Sequence, residues 1–519
     1  MSFARNIATV GSATLFSRAL GFLRDVGIAS ILGAGPLSDA YFAALQIPNL
    51  FRRLLAEGAL NSAFVPMWMR IEDESGRRAA RRFAEEVLGT MLLALGTLAA
   101  LCIVFAPEVV RLMAPGFSPG GGRYQLAAVF VVLSAPYIAF ASIVAFASSV
   151  LNAKGRVGAV ALGIVVFNFV FLFAVGVVLF LDTGATAVSG EILSTAVAVA
   201  GVGQLLVVGG ALLRLPERPL VPRLAISPQA RRFFVLVVPG VIAGGIPQLK
   251  LMVGAMVASS SQAGVSWLYY ANRLYELPLG VVSIAIAAVM VPLIASSVRE
   301  REPEAIGSAQ SRAFEIALGL ALPSAVAFAL LAERIAGGLF QHGEFGPRDT
   351  AAVAAALAAI CAGLPGHVLE KVLGAVSFAH EDTRTPMFTA LAGLAIATIL
   401  AFALFPTYGH VGVAAAIAIS GWVGAILLGI ILSQRRWLRF DREARRRLPL
   451  IAMATVIMGA AIYFAQKFLA STWDISGSAP ARIGSLVALV ALGLTTYGII
   501  LHLTKTLRLS ELLASFRRI

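Results

Sequence analysis

The chain has 519 residues, of which 59% are hydrophobic and only 13% are charged, and its mean hydropathy is +0.87. One water-soluble core cannot bury this much apolar surface, so the composition excludes a soluble globular protein and indicates a membrane protein. The formal net charge of +14 would suggest a nucleic-acid partner in a soluble chain. In a membrane protein an excess of positive charge instead indicates which loops face the cytoplasm, and we expect no nucleic-acid partner.

Fourteen stretches are long and apolar enough to cross a bilayer, whose hydrocarbon layer of about 30 Å takes about 20 residues of helix. We therefore predict an all-α polytopic membrane protein with 14 transmembrane helices. In chain order the predicted helices are 6–33, 37–69, 83–113, 124–153, 157–181, 187–213, 232–258, 263–298, 310–334, 350–380, 385–405, 410–433, 448–470 and 482–504.

Clusters of arginine mark one side of these helices. Short loops rich in Lys and Arg face the cytoplasm, so this bias predicts that both termini are cytoplasmic. Such loops also bind anionic phospholipids. The clusters are Arg70, Arg77, Arg78, Arg81 and Arg82; Arg214, Arg218, Arg223, Arg231 and Arg232; and Arg435, Arg436, Arg439, Arg442, Arg445, Arg446 and Arg447.

The sequence matches itself weakly at an offset of about 229 residues. Chance matches among Ala, Gly and Pro are the alternative explanation. Six helices per repeat make the repeats parallel, and transporters built this way bind substrate between the two halves near the bilayer centre. The matched pairs are Ala34-Gly35 with Ala263-Gly264, Tyr41 with Tyr270, and Pro136 with Pro365.

This repeat predicts two parallel six-helix lobes around a central cavity, followed by a pair of C-terminal helices. The predicted boundaries are 1–222 for the first lobe, 223–440 for the second lobe, and 441–519 for the last two helices and a cytoplasmic tail.

Three arginines lie inside predicted helices without an acid three or four residues away. They are Arg18 and Arg24 in the first helix and Arg52 in the second. A charge at the centre of a membrane helix costs about 2.5–3.5 kcal/mol on insertion scales, so each needs a partner from another helix or from a ligand. Asp25 and Asp39 are the structural alternatives.

Other charges in the helices have a local explanation. Residues three or four apart face one another on a helix, so Arg53 can pair with Glu57 and Arg273 with Glu276. The remaining cations are two lysines, whose long stems can carry the ammonium to water: Lys250 and Lys371.

Arginines gathered in a cavity of low dielectric constant repel one another unless an anion neutralises them. The guanidinium group binds phosphate oxygens in two-point fashion and stays charged at any relevant pH. A diphosphate can engage three or more arginines. Pro48-Asn49 is expected to break the second helix and free backbone groups that line such a cavity.

Four segments carry a resemblance to the MurJ/MviN family of the multidrug/oligosaccharidyl-lipid/polysaccharide exporter superfamily. They are FSRALGFLRD, GAGPLSDAYFAALQIPNLFRRLLAEGALNSAFVP, APGF and VSWLYYANRLYELPLGV. The resemblance implies a transporter and no enzyme: a flippase in the bacterial cytoplasmic (inner) membrane that moves lipid II, the undecaprenyl-diphosphate-linked peptidoglycan precursor, to the periplasmic leaflet by alternating access. It implies lipid II and phospholipids as partners, with cell-wall synthesis proteins as further candidates, and we expect a monomer.

The resemblance also implies roles for individual residues. It assigns the substrate to Arg18, Arg24, Arg52, Arg273 and Asp39. It gives supporting or gate positions to Ser17, Asp25, Asn49, Arg53, Glu57, Ser266 and Glu276. The last two helices would form a groove for the polyprenyl tail.

No cofactor or metal is expected, and an anion could occupy the empty cavity. The eleventh predicted helix has no Asp or Asn, which argues against the sodium site of some family members. The membrane potential could drive transport, since it favours outward movement of negative charge by about 2.3 kcal/mol per charge per 100 mV. Proton and sodium coupling stay open at this point.

Other functions compete with lipid II transport. A related exporter could carry another polyprenyl-diphosphate-linked glycan or small drugs, although a carrier of cationic drugs should show unpaired acids. An intramembrane enzyme is disfavoured because HExxH and GxSxG motifs are missing from the sequence. A scaffold for cell-wall synthesis would tolerate neutral substitutions at Arg18 or Arg52.

Overall fold

The computed structural model describes residues 2–56, 59–216, 218, 221–286, 294, 303–472 and 479–506. Within these ranges the chain forms helices and connecting turns, with no β-strand. The predicted all-α class is therefore confirmed.

The helices of the described residues are numbered here in chain order. They are α1 (Ser2–Leu32), α2 (Pro36–Ala44), α3 (Gln46–Ala56), α4 (Ala59–Ser75), α5 (Arg77–Val104), α6 (Ala106–Met113), α7 (Gly122–Ser134), α8 (Pro136–Ala153), α9 (Val157–Phe180), α10 (Ala187–Leu213), α11 (Pro228–Ala258), α12 (Gly264–Ala285), α13 (Pro303–Leu330), α14 (Ala332–Phe340), α15 (Pro347–Cys361), α16 (Leu364–Ala379), α17 (Arg384–Gln434), α18 (Arg442–Thr472) and α19 (Ala479–Leu503).

The chain is a multi-pass membrane protein. Nine helical stretches among the described residues are long and apolar enough to cross a membrane. One of them, α17, is interrupted at Gly409, whose φ of 55° and ψ of −139° are readily adopted only by glycine. This break lies between two predicted helices, 385–405 and 410–433. The predicted total of fourteen stays a prediction.

The second predicted helix is divided into α2, α3 and α4. Its first break lies one turn before the expected position at Pro48-Asn49, because α2 ends at Ala44. Proline lacks the N–H that would bond to the carbonyl four residues earlier, and its ring crowds that carbonyl. For Pro48 this carbonyl belongs to Ala44. The Asn49 N–H is not freed, since it donates to the Leu45 carbonyl at 3.0 Å.

The same pattern of broken helices occurs twice along the chain. A long helix followed by a short one, α5 and α6, precedes the pair α7 and α8, which is broken at Pro136. Later, α13 and α14 precede α15 and α16, where Pro365 lies in the first turn of α16. Two stretches of the chain therefore share one pattern of helix breaks, and the internal repeat itself stays a prediction.

The chain divides into two compact units. Unit 1 comprises Met1–Ser266 with His342–Phe345, and unit 2 comprises Trp267–Gln341 with Gly346–Ile519. The sequence repeat assigned α11 to the second lobe, whereas α11 packs within unit 1 against α3, α4 and α5. The lobe boundaries at 222 and 440 stay predictions, because compact packing does not define the extent of a repeat.

An aromatic cluster in unit 1 shows how α11 is held there. The buried Phe64 ring of α4 lies 5.6 Å from Phe83 of α5, 5.7 Å from Phe146 of α8 and 6.0 Å from Phe233 of α11, between ring centroids. Such pairs contribute about 0.5–1.5 kcal/mol each beyond the area they bury. The first turns of α11 are therefore part of the unit 1 core.

The last two helices belong to unit 2. There α18 packs on α13 and α19, and α19 also contacts α14. Both helices carry large apolar side chains on exposed surface, among them Val456, Phe464, Phe468, Leu494 and Leu503. This pair therefore presents a hydrophobic face.

Candidate functional site

Arg24 of α1 has its partner in the next residue. Its Nη2 and Nε lie 2.8 Å and 3.0 Å from Oδ1 of Asp25, whose side chain is fully buried. The guanidinium also lies over the Phe171 ring of α9, 5.1 Å from the centroid. Asp25, the structural alternative raised by the sequence, is thus the observed partner.

Arg24 and Arg52 come from different helices of unit 1. Arg52 lies on α3, and its Nε is 3.5 Å from Oδ1 of Asn49. Helix α3 packs on α8, and α8 also packs on α9, whose Phe171 ring lies under the Arg24 guanidinium. The fold therefore places two of the three predicted intramembrane arginines on helices that are linked through α8 and α9.

Arg18 lies one residue after an anchored serine. Asn168 of α9 donates its Nδ2 to the Ser17 carbonyl at 3.2 Å and to Ser17 Oγ at 2.9 Å. This fixes α1 against α9, while the Arg18 side chain remains exposed. Asn168 was not among the residues predicted from the sequence, although a lone amide in the apolar run VVFNFVFLF was a usable signal.

Arg273 belongs to unit 2 and has the partner that its spacing predicts. Its Nη1 lies 3.2 Å from Oε2 of Glu276, and Asn272 Nδ2 donates to Oε1 of the same carboxylate at 3.2 Å. Asn272 thus supports the Glu276 carboxylate that pairs with Arg273.

The remaining predicted charges are placed as follows. Lys371 donates from Nζ to Ser283 Oγ at 2.7 Å, and Lys250 is buried in α11. Arg53 lies on α3, but Glu57 falls outside the described residues, so their pairing stays a prediction.

Asp39 and Ser266 meet at the start of α12, within unit 1. The carboxylate of Asp39 is fully buried, and its Oδ1 accepts from the Ser266 N–H at 2.9 Å and from Ser266 Oγ at 2.8 Å. Unpaired N–H groups at the first turn of a helix favour a carboxylate there. Asp39 therefore caps α12.

The other oxygen of Asp39 faces Arg123 of α7. Arg123 Nη1 lies 3.4 Å from Asp39 Oδ2, 3.4 Å from the Ser259 carbonyl and 3.0 Å from the Ser261 carbonyl, at the end of α11. We call these five residues, Asp39, Arg123, Ser259, Ser261 and Ser266, the Asp39 cluster. Arg123 was not among the site residues predicted from the sequence.

The opposite end of α11 is held by two buried glutamates of α5. Glu85 Oε2 accepts from Arg223 Nε at 2.7 Å, and Glu86 Oε2 accepts from the N–H of Ser227, the N-cap residue of α11, at 3.0 Å. The Arg223 N–H also donates to the Glu85 carbonyl at 2.9 Å. We call Glu85, Glu86, Arg223 and Ser227 the Glu85 cluster.

Comparison with known proteins identifies the family. A family model described as "Lipid II flippase MurJ" matches residues 28–483. The chain belongs to the MurJ lipid II flippase family. A "Probable lipid II flippase MurJ" of Rhizobium meliloti (strain 1021) is 38% identical over 500 residues, covering 96% of this chain and 93% of that protein.

Another MurJ relative and two solved structures extend the likeness. A "Lipid II flippase MurJ" of Burkholderia cenocepacia is 30% identical and covers 90% of this chain and 91% of that protein. The structure "Lipid II flippase MurJ, inward closed conformation" has a TM-score of 0.78 at 23% identity and covers 95% of this chain and 97% of that chain. An inward-facing multidrug resistance MATE family transporter has a TM-score of 0.65 at 16% identity, covering 81% and 94%. Both structures show the transporter fold.

Proposed function

We propose that this chain flips lipid II from the cytoplasmic to the periplasmic leaflet of the bacterial inner membrane, with both termini in the cytoplasm. Family membership supports this, since the similar proteins of Rhizobium meliloti and Burkholderia cenocepacia are named as lipid II flippases. The arginine-rich loops support the orientation, because such loops stay cytoplasmic.

The observation that carries the mechanism is the presence of Arg24 and Arg52 on two helices of unit 1, α1 and α3, that are linked through α8 and α9. Two permanent cations in apolar surroundings favour an anionic ligand, and a diphosphate offers the oxygens that guanidinium groups bind in pairs. We assign the diphosphate to Arg18, Arg24, Arg52 and Arg273, as the family resemblance implies. Asp25 and Glu276 hold Arg24 and Arg273 in place until the ligand arrives.

Asp39 fits a different role. Its carboxylate is buried, both oxygens have partners, and its negative charge would repel a diphosphate. We therefore group Asp39 with Ser266 as gate residues, with Ser17, Asn49, Arg53 and Glu57 in supporting positions.

Transport is proposed to proceed by alternating access. The headgroup enters from the cytoplasm, the arginines hold the diphosphate, and the cavity then opens to the periplasm. The hydrophobic face of α18 and α19 is suited to the polyprenyl tail, which stays in lipid. The membrane potential supplies direction, at about 2.3 kcal/mol per charge per 100 mV, and the transporter acts as a monomer without a cofactor.

The test measures flipping of purified lipid II in proteoliposomes and rescue of a bacterium depleted of its own flippase. Alanine at Arg18, Arg24, Arg52 or Arg273 should lower the flipping rate at least about tenfold, because hydrogen bonds to charged groups contribute about 1.5–3 kcal/mol. Arg111→Ala is the matched control, since Arg111 is an exposed arginine of α6.

Each contrary result has a definite meaning. Full activity of all four alanine variants would overturn the arginine assignment. Wild-type protein that moves another polyprenyl-diphosphate glycan or a drug, but no lipid II, would overturn the substrate. An unchanged rate after collapse of the potential would remove the potential as the driving force.

A further inference from the structure

The Asp39 cluster joins segments that the sequence repeat assigns to different lobes. Asp39 and Arg123 lie in the predicted first lobe, and Ser259, Ser261 and Ser266 in the predicted second lobe. Their contacts nevertheless fall inside one compact unit. Contacts of this kind must break if the two repeats separate at this end.

We propose that Arg123 is the latch of the outer gate: it holds the end of α11 against α2 and α7 while the outer side is closed, and it releases when the cavity opens outward. This inference rests on the proposed alternating-access function and adds a residue to it. Arg123 acts through Asp39 and backbone carbonyls, so it is a positioning residue.

The latch is a single cation facing three negative groups. One nitrogen, Nη1, serves the Asp39 carboxylate and the carbonyls of Ser259 and Ser261. Carbonyls at the end of a helix carry partial negative charge, which a nearby arginine neutralises. Removing Arg123 would therefore leave a buried carboxylate and a helix end without their cation.

The geometry also indicates which contact gives way. Ser266 binds Asp39 Oδ1 at 2.8 Å and 2.9 Å, whereas Arg123 approaches Oδ2 at 3.4 Å, beyond the usual hydrogen-bond range. The Arg123 side chain is 21% exposed and the Asp39 side chain 0% exposed. Arg123 can thus move into water first, and the contact between Asp39 and Ser266 has to break after it for the two repeats to separate.

The local packing keeps Arg123 in position between openings. Its guanidinium lies over the ring of Phe117, 4.6 Å from the centroid, and Phe117 is buried after the APG turn. A cation over an aromatic face is favoured by about 0.5–1 kcal/mol at exposed sites. This contact uses charge rather than the shape of the guanidinium, so lysine should replace Arg123 in part.

The test measures access to the cavity from outside, independently of flipping. Cys102 and Cys361 are replaced by alanine, Asn49→Cys is introduced in the predicted cavity, and a membrane-impermeant maleimide is added to the periplasmic face. Arg123→Gln should raise the labelling rate at least about fivefold, and Arg123→Lys should raise it less. Arg111→Gln, which removes an exposed arginine of α6, should leave it unchanged.

A second variant guards against misfolding. Arg123→Gln alone leaves Asp39 without its cation, so Asp39→Asn with Arg123→Gln removes both charges together and should also raise labelling. Wild-type labelling in Arg123→Gln and in the double variant would overturn the latch. If the wild-type chain fails to flip lipid II while labelling still responds to Arg123, the latch stands and the substrate proposal falls.

Discussion

The two ends of α11 are tied to unit 1 by clusters with different chemistry. Before its first turn, Glu85 and Glu86 accept from the Arg223 side chain and from the backbone N–H groups of Arg223 and Ser227, at 2.7–3.0 Å. At its last turn, Arg123 lies 3.0 Å from the Ser261 carbonyl and 3.4 Å from Asp39 and Ser259, and the Gly116 N–H donates to Ser259 Oγ at 2.9 Å. The first attachment uses two buried carboxylates, whereas the second relies on one partly exposed cation together with a single backbone donor.

This difference suggests a division of labour along one helix. A helix that is fixed at one end and releasable at the other can swing about the fixed end. In the proposed orientation the Glu85 cluster is cytoplasmic and the Asp39 cluster is periplasmic. We therefore expect changes at the Glu85 cluster to lower stability, and changes at the Asp39 cluster to alter access.

The largest loss of stability is expected for Gly89→Ala. A Cβ at Gly89 would lie 2.2 Å from the Arg223 carbonyl oxygen and 2.7 Å from its nitrogen, so the backbone before α11 would have to move. Overpacking of this kind costs about 1–3 kcal/mol or more. Thermal unfolding in detergent measures it, and Gly96→Ala on the same helix, with nothing within 4 Å, is the control. Equal melting temperatures for the two variants would show that the close approach of Gly89 to the Arg223 backbone does not contribute to stability.

Gly116→Ala is expected to disturb the other end of α11, at the Asp39 cluster, without altering any charge. A Cβ there would lie 2.3 Å from the Ser260 nitrogen and 2.5 Å from the Ser259 carbonyl carbon. We expect the loop after α11 to be displaced, so that maleimide labelling of Asn49→Cys from outside rises several-fold with a smaller loss of stability than in Gly89→Ala. Gly122→Ala, at the start of α7 with nothing within 4 Å, should behave as wild type. Unchanged labelling in Gly116→Ala would argue against a releasable end.

Glu85→Ala should have an intermediate effect on stability. It removes the carboxylate that binds Arg81 at 2.8 Å and Arg223 at 2.7 Å, but these arginines are 45% and 50% exposed and can be solvated by water. We expect a loss of about 1–2 kcal/mol in the free energy of unfolding. Glu74→Ala, which breaks only the exposed i,i+4 pair with Arg70, should cost less than about 0.5 kcal/mol. Similar losses in both variants would count against the Glu85 cluster as an anchor.

The smallest effect concerns the pH dependence of stability and involves the ion pair of Lys154 with Glu72 in unit 1. Hydrogen bonds from Lys154 Nζ, at 2.7 Å and 2.8 Å, hold the pKa of Glu72 below its usual value. Because the folded pKa is the lower one, this pair stabilises the fold above the unfolded pKa, and the stabilisation is lost as pH falls through the folded pKa.

Lys154→Met should therefore lower the melting temperature at pH 7 and converge with wild type in acid, with a difference below about 1 kcal/mol for so accessible a pair. Arg156→Met, an exposed cation of the same turn, should show no such convergence. A Lys154→Met difference that stays constant from pH 7 to acid would assign the effect to the lost contact of the Lys154 ammonium with the Trp68 ring.

The local spacing of residues in the sequence determined the helical class, the approximate positions of helix breaks and one ion pair. Apolar runs predicted the helical class and separated two predicted helices where the break at Gly409 is found, Pro48 predicted a break one turn after the observed one, and the i,i+3 spacing predicted the pairing of Arg273 with Glu276. Each of these features depends on residues within one or two helical turns, where the geometry of the backbone fixes which side chains meet.

Tertiary structure alone decided the contacts that set the roles. Arg123 and Asp39 are 84 positions apart, and Arg223 and Glu85 are 138 apart, so no periodicity relates them. The membership of α11 in unit 1 likewise follows from its packing on Phe64 and from the two clusters at its ends. A sequence specifies which charges need partners in an apolar environment, but the partner is chosen by the packing of helices that are distant in the chain.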